Sequence, residues 1–172
     1  MKNQIAPTNV ERVMREKDLI FSRTDPKGKI TYANKIFVEF SGYTENELLG
    51  SQHNIVRHPD MPRAIFKLLW DKIQNQQECI AYVKNMSKDG GYYWVYATVT
   101  PSFDENGNLK GYTSWRGKPK DSGRATIEPI YAQMLAAEKQ AGAAKAIEAS
   151  SKILDDLLAG KGMSYDEFVM SI

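Results

Sequence analysis

The chain of 172 residues holds one cysteine, Cys79, and two histidines. A single cysteine excludes an internal disulfide framework and a cysteine-rich metal centre. No apolar run is long enough to span a bilayer. The net charge of +2 is too small to argue electrostatically for nucleic acid or for an anionic membrane surface. The opening stretch MKNQIAPTNVERVM lacks the apolar core of a signal peptide, so the expected compartment is the cytoplasm. There is no G-x-S-x-G elbow, no Cys/His pair in a nucleophile context and no metal-ligand spacing, which argues against an enzyme. Internal repeats and low-complexity tracts are absent as well.

What is present divides the chain into three parts. Residues 1–17 read as a short helical cap. Thr8 or Asn9 suits its start, and Val10, Val13 and Met14 fall on one helical face. From Asp18, DLIFSRTDPKGKITYAN reads as strand, turn, strand, with Asp25-Pro26-Lys27-Gly28 as the turn. Lys35 to about Gln76 has helical spacing. Thr44 with Glu47 matches a capping box, Gly50 closes that helix, and Pro62 opens the next, whose Ile65, Leu68, Leu69 and Ile73 form an apolar stripe. Strand signals return in ECIAYVKNMS, GYYWVYATVTPSF and NLKGYTSWRGK, divided by KDGG at 88–91 and DENG at 104–107. Residues 18–119 are therefore expected to form an α+β domain. Its five-stranded antiparallel sheet carries short helices on one face.

Residues 117–123 have linker composition, and 120–172 read as a helical extension. There Ile127, Ile130, Met134, Ala137, Ala141 and Ala144 recur at alternating steps of three and four, an a/d seam. A seam so rich in alanine buries little area against itself, so it is expected to seek another surface. Within YYWVYATVT, the alternation separates Tyr93, Val95, Ala97 and Val99 from Tyr92, Trp94, Tyr96 and Thr98. The smaller set suits the wall of a cavity. The aromatic set then needs cover, most simply from the N-terminal helix or a second subunit.

One stretch is chemically dense: HNIVRHPDMP, at 53–62, gathers both histidines with Arg57, Asp60 and two prolines. From the residues alone, Arg57 and Asp60 equally suit tying down a surface loop, and Trp70 suits an ordinary core position. The string, with RTDPKGKITYANKIFVEFSGYTENELLG, LLWDKIQ, VKNMSKDGGYYWVYATVTP and GYTSWRGKP, resembles the FAD-binding PAS domains of aerotaxis receptors (Aer type) and of bipartite energy-taxis proteins (CetB type). The likeness runs from about Asp18 to Pro119. It implies a PAS sensor domain that binds FAD and reports its redox state.

On that resemblance Arg57, with donors from His58 and Lys84, is expected to compensate the diphosphate. Asp60, which would repel phosphate, is expected to hold Arg57 or His58, or to cap the helix near Pro62. Trp70 is expected to stack on the isoalloxazine or adenine. His53 and Asn54 reach either ring system. Asn34 and Asn85 match family asparagines, and Asn85, inside a strand, is the better partner for the flavin's polar edge. Aerotaxis receptors continue into a membrane anchor, a HAMP domain and a signalling coiled coil, and residues 120–172 show no such pattern. The expected output is therefore a membrane-bound chemoreceptor or HAMP-containing signalling protein, which would recruit the chain to the inner membrane without insertion. A homodimer through the PAS domain or the C-terminal helix is also expected. Three other readings stand beside this one: a haem sensor with His53 or His58 as axial ligand, a cofactor-free PAS dimerisation module, and a LOV photoreceptor. The last needs an Asn-Cys-Arg string, whereas Cys79 begins a strand.

Overall fold

The structure, a computed structural model, describes residues 5 to 172. Five strands form one antiparallel sheet: β1 (Ile20–Thr24), β2 (Ile30–Ala33), β3 (Cys79–Met86), β4 (Tyr92–Phe103) and β5 (Leu109–Gly117). Their spatial order is β2-β1-β5-β4-β3, so the first strand lies between the second and the last. The β4 strand pairs along almost its whole length, with β3 from Tyr92 to Val99 and with β5 from Tyr96 to Phe103.

Between β2 and β3 the chain makes helices α1 (Lys35–Ser41), α2 (Glu45–Leu48) and α3 (Arg63–Gln74), with a 3-10 turn at His53–Val56. Each short helix has a local reason to start. The Asn34 side chain accepts from the Phe37 amide, and Thr44 with Glu47 forms the expected capping box. Gly42 ends α1 at a φ of 71°, where a side chain would be strained. Phe37, Leu48 and Ile65 are fully buried beneath these helices with Ile20, Tyr93 and Val95 of the sheet. This is the α+β architecture that the sequence pattern requires.

The ends differ from expectation. Residues 5–17 are not helical; residues 1–4 of the expected cap lie outside the described residues. The segment is an extended strap that bonds to the β3–β4 turn and the start of β4: the Thr8 amide donates to the Gly90 carbonyl, the Arg12 amide to that of Tyr92, and the Tyr92 amide to that of Val10. A short isolated helix is marginal, and pairing beside β4 satisfies the same backbone groups. Only Met14 of the expected apolar face is buried, while Val10 and Val13 are exposed.

The expected linker is shorter than its composition implies. Helix α4 (Asp121–Ala141) starts within it, followed by α5 (Ala146–Lys161) and α6 (Tyr165–Ser171). Gly123 is there for packing rather than flexibility, since a Cβ at that position would collide with the Tyr82 hydroxyl. Helix α4 lies on the outer sheet face. Tyr131 stacks on Trp94 with ring centroids 6.3 Å apart, and its hydroxyl donates to the Tyr82 carbonyl. The aromatic face is thus covered by the chain's own C-terminal helix, not by an N-terminal helix. The seam is likewise occupied: Ile127 and Met134 are buried in the same molecule, and the helix ends at Gly142 before reaching Ala144.

Candidate functional site

A cavity of about 190 Å³ lies between α3 and the sheet. Helix α3 lines it with Phe66, Leu69, Trp70 and Ile73. The sheet contributes Val83, Ala97 and Val99, small enough to leave room, and Tyr112, whose ring meets the Trp70 indole edge-on. These walls are apolar. The polar groups come from Gln52 and the HNIV turn, from Arg57, and from Thr24, Asn85, Ser114 and Arg116 on the strands. No aspartate or glutamate is among the lining residues.

The dense motif is pinned to the edge of the sheet. Arg57 forms a backbone bridge with Asn85, which occupies the free edge of β3 and brings both side chains to the cavity. The Arg57 guanidinium lies over Phe66, 4.1 Å from the ring centre, and donates to the Met61 carbonyl at 3.3 Å. No carboxylate pairs with it among the described residues. Its pKa is lowered, chiefly by burial, with the Glu138 charge opposing. Asn85 is buried and lines the cavity, with Tyr93 of β4 in register beside it. Trp70 reaches over to the β1–β2 turn, where a Cβ on Gly28 would press on the indole at 3.0 Å. Gly28 also needs its φ of 80°, so the turn and the indole fix each other.

The structure therefore brings His53, Asn54, Arg57, Trp70 and Asn85 together around one cavity. It places the other four candidates elsewhere. Asn34 caps α1 and joins it to β1, accepting from the Phe21 amide and donating to the Leu19 carbonyl. His58 is 2 % exposed and turned from the cavity; its Nδ1 accepts from the Asp60 amide, and burial, then the nearby Lys84 charge, push its pKa down to about 4. Lys84 pairs with Asp60 at 2.7 Å and sits over the Tyr92 ring. Asp60 thus holds Lys84 beside His58. It caps no helix: Pro62 stands at the start of α3, without a side-chain cap.

Arg116 escaped the sequence reading. It is 2 % exposed, lines the cavity and lies 4.3 Å over the Phe37 ring. Its Nη2 donates to Ser22 Oγ at 2.5 Å, while Nε and Nη1 have no partner among the described residues. Ser22 Oγ stands 3.1 Å from His53 Nε2. Burial and then the Arg116 charge push the His53 pKa down to about 3, and burial pushes Arg116 itself down to about 10. A signal was available in GYTSWRG. Tyr112, Ser114 and Arg116 alternate in phase, and Ser114 and Arg116 stand opposite Val99 and Ala97 of the expected cavity wall.

A family model described as PAS fold matches residues 30–115. Among curated proteins, the chain is 44% identical over 112 residues to the aerotaxis receptor of Escherichia coli (strain K12), covering 65% of this chain and 22% of that protein. It is 29% identical over 100 residues to a nitrogen fixation regulatory protein of Klebsiella pneumoniae, covering 58% of this chain and 20% of that protein. The chain spans about a fifth of the length of these relatives. The dark structure of the blue-light photoreceptor Aureochrome1 LOV superposes with a TM-score of 0.55 at 22% identity, over 70% of this chain and 84% of that one. A light-oxygen-voltage domain studied with a flavin analogue gives 0.56 at 20% identity, over 63% and 82%. These structural likenesses concern the fold.

Proposed function

As the chain belongs to the PAS-fold family, we propose that it is a non-catalytic redox sensor of the aerotaxis and energy-taxis type that holds FAD in this cavity. The observation that carries the reading is the cavity itself: apolar walls of aromatic and small strand side chains, ending in amide and guanidinium groups with no acid among the lining residues. The fit is supported by orphaned polar atoms. Thr24 Oγ1 and two Arg116 nitrogens are buried at the lining without partners, as expected where a ligand completes them.

In this reading Trp70 and the small strand residues enclose the ring system, and Asn85 and Arg116 meet its polar edge. Arg57 supplies planar donors to the diphosphate. Bound FAD supplies a ring that gains and loses electrons and so changes its charge and hydrogen-bond demand. Asn85 is placed to answer that change, because its amide both donates and accepts. It lies on β3, the strand to which Arg57 is bridged and to which Tyr131 of α4 bonds. A change in which partner Asn85 satisfies would bias how β3 and the covering helices sit, a two-state element read by another protein.

That other protein is a membrane-bound chemoreceptor or a HAMP-containing signalling protein, which recruits this chain from the cytoplasm. A homodimer would use the part of the outer sheet face that α4 leaves uncovered, where Tyr32 and Trp115 are 45% and 46% exposed and both pack on Phe21. The deciding experiment is an absorption spectrum of the protein purified in air, with the released cofactor identified by mass. Flavin bands and the mass of FAD are the expected result. A Soret band, or a protein that stays colourless after incubation with FAD, overturns the reading.

A further inference from the structure

A guanidinium buried without a carboxylate is costly, and Arg116 is such a group. The residues facing it offer no negative charge. From the 3-10 turn comes His53, from β1 Ser22, from α1 only the face of Phe37. From β4 comes Tyr93, a buried phenol whose pKa is raised by desolvation and which is therefore neutral. The other charged residue lining the cavity is also an arginine, Arg57.

Arg116 Nη2 can only donate, so Ser22 Oγ accepts from it. Ser22 Oγ has its own proton to give, and His53 Nε2 is its other neighbour at 3.1 Å. Given in that direction, the proton makes Nε2 the acceptor and calls for a neutral ring protonated on Nδ1. Arg116 keeps two nitrogens unused beside this chain. The charge at this end of the cavity is thus a donor with no acidic acceptor among the lining residues.

We propose that Arg116, Ser22 and His53 form a directed donor relay aimed at the acceptor edge of the bound flavin, and that it holds the reduced ring as its anion. This rests on the flavin reading above and adds the chemical state that the cavity selects. Reduction by an external reductant such as dithionite places two electrons on the ring. One proton goes to the central ring. A second proton on the pyrimidine edge would give the neutral reduced form. With Arg116 at that edge the second proton stays in solvent, and the negative charge remains on the ring as the counter-charge the protein does not provide.

The test compares the parent with Arg116→Met, which removes the charge, and Arg116→Lys, which keeps it. Four readouts are taken: thermal midpoint without cofactor, FAD affinity by fluorescence quenching, the pH dependence of the two-electron potential with dithionite as reductant, and the His53 tautomer in the parent by nitrogen-15 NMR. Arg116→Met is expected to match or exceed the parent's midpoint without cofactor, because an uncompensated buried charge is gone. Its FAD dissociation constant should rise about tenfold or more, with partial rescue in Arg116→Lys. At a pH where free flavin takes up two protons with two electrons, the parent's potential should fall with pH half as steeply as that of free flavin. Nitrogen-15 NMR should find His53 protonated on Nδ1.

An Arg116→Met protein with a lower midpoint and unchanged FAD affinity makes Arg116 a structural residue and overturns the proposal, as does a His53 protonated on Nε2. A parent that binds FAD but shows the full two-proton slope overturns the relay and leaves the flavin reading standing. A parent that takes no flavin overturns both.

Discussion

Arg57 is held by a backbone carbonyl and an aromatic face, not by an acid, so its removal leaves no carboxylate stranded in the core. Arg57→Ala is therefore expected to fold, with a thermal midpoint near the parent's, and to lose FAD during gel filtration that the parent survives. Full retention would show that the phosphates lie elsewhere. The histidines set a second expectation, on pH. Both are neutral in the fold, with pKa values pushed down to about 3 for His53 and about 4 for His58 from the ordinary 6.5. The unfolded chain therefore binds more protons between these limits, and stability falls as pH drops below 6.5. The depressed carboxylates, such as Asp18, Glu47 and Asp89, act below their ordinary 3.8 to 4.5, so the interval from 6.5 down to 4.5 belongs to the imidazoles. A thermal midpoint that declines there, and declines less in His58→Asn, is the expected result. The sequence made the crowding of residues 53–62 visible but not which side chains turn inward. His58 and Arg57 are adjacent, and the bridge between Arg57 and Asn85 aims one at the cavity while its neighbour packs beside Tyr92.

Helix α3 forms one wall of the cavity, and the C-terminal helices hold both of its ends. At its start, where Pro62 offers no side-chain cap, the Glu138 carboxylate of α4 accepts from the Arg63 amide at 2.7 Å and from Ser150 Oγ at 2.7 Å. A negative group at this position also suits the helix dipole. Near its other end Lys72 pairs with Asp166 of α6. Glu138→Ala is expected to cost about 1–3 kcal/mol, because the Arg63 amide and the Ser150 hydroxyl lose a buried charged acceptor. Gly123→Ala is expected to cost a similar amount, about 1–3 kcal/mol, by overpacking against Tyr82. Urea unfolding of both, beside the exposed control Glu128→Ala, checks this; equal midpoints for all three would remove the clamp. The capping boxes at Thr44 and Ser164 were legible because donor and acceptor lie within one turn. The cap supplied by Glu138 was not, since it sits 75 residues from the amide it serves. An alanine-rich seam reads as unpartnered for the same reason: its partner is a sheet face formed much earlier in the chain.

At the scale of the whole molecule, the strap and the extension close over the same strand. Glu11 of the strap accepts from the Tyr92 hydroxyl and pairs with Arg124 of α4, whose guanidinium lies 5.4 Å over Trp94. Ending the chain after Pro119 would bare Tyr82, Trp94 and Tyr96 together, a patch larger than scattered surface aromatics. The truncated protein is expected to show a lower thermal midpoint and to self-associate in sedimentation velocity. A monomer of parental stability would make the extension dispensable for the fold and return it to a purely signalling part. The alternation of strands was readable in the sequence; that the chain would cover its own sheet was not, because periodicity shows that a face is apolar without naming what lies on it. The strand order has a consequence in time as well as in space. β1 is synthesised well before β5, yet it sits beside it, and Ser22 finds Arg116 only 94 residues later. Its other neighbour, β2, gives it a two-stranded ribbon, which is marginal alone. The nascent chain must therefore carry an unfinished sheet until β5 is made, and the cavity wall can close only once that strand arrives. Folding of this domain is bound to be late and governed by long-range pairing.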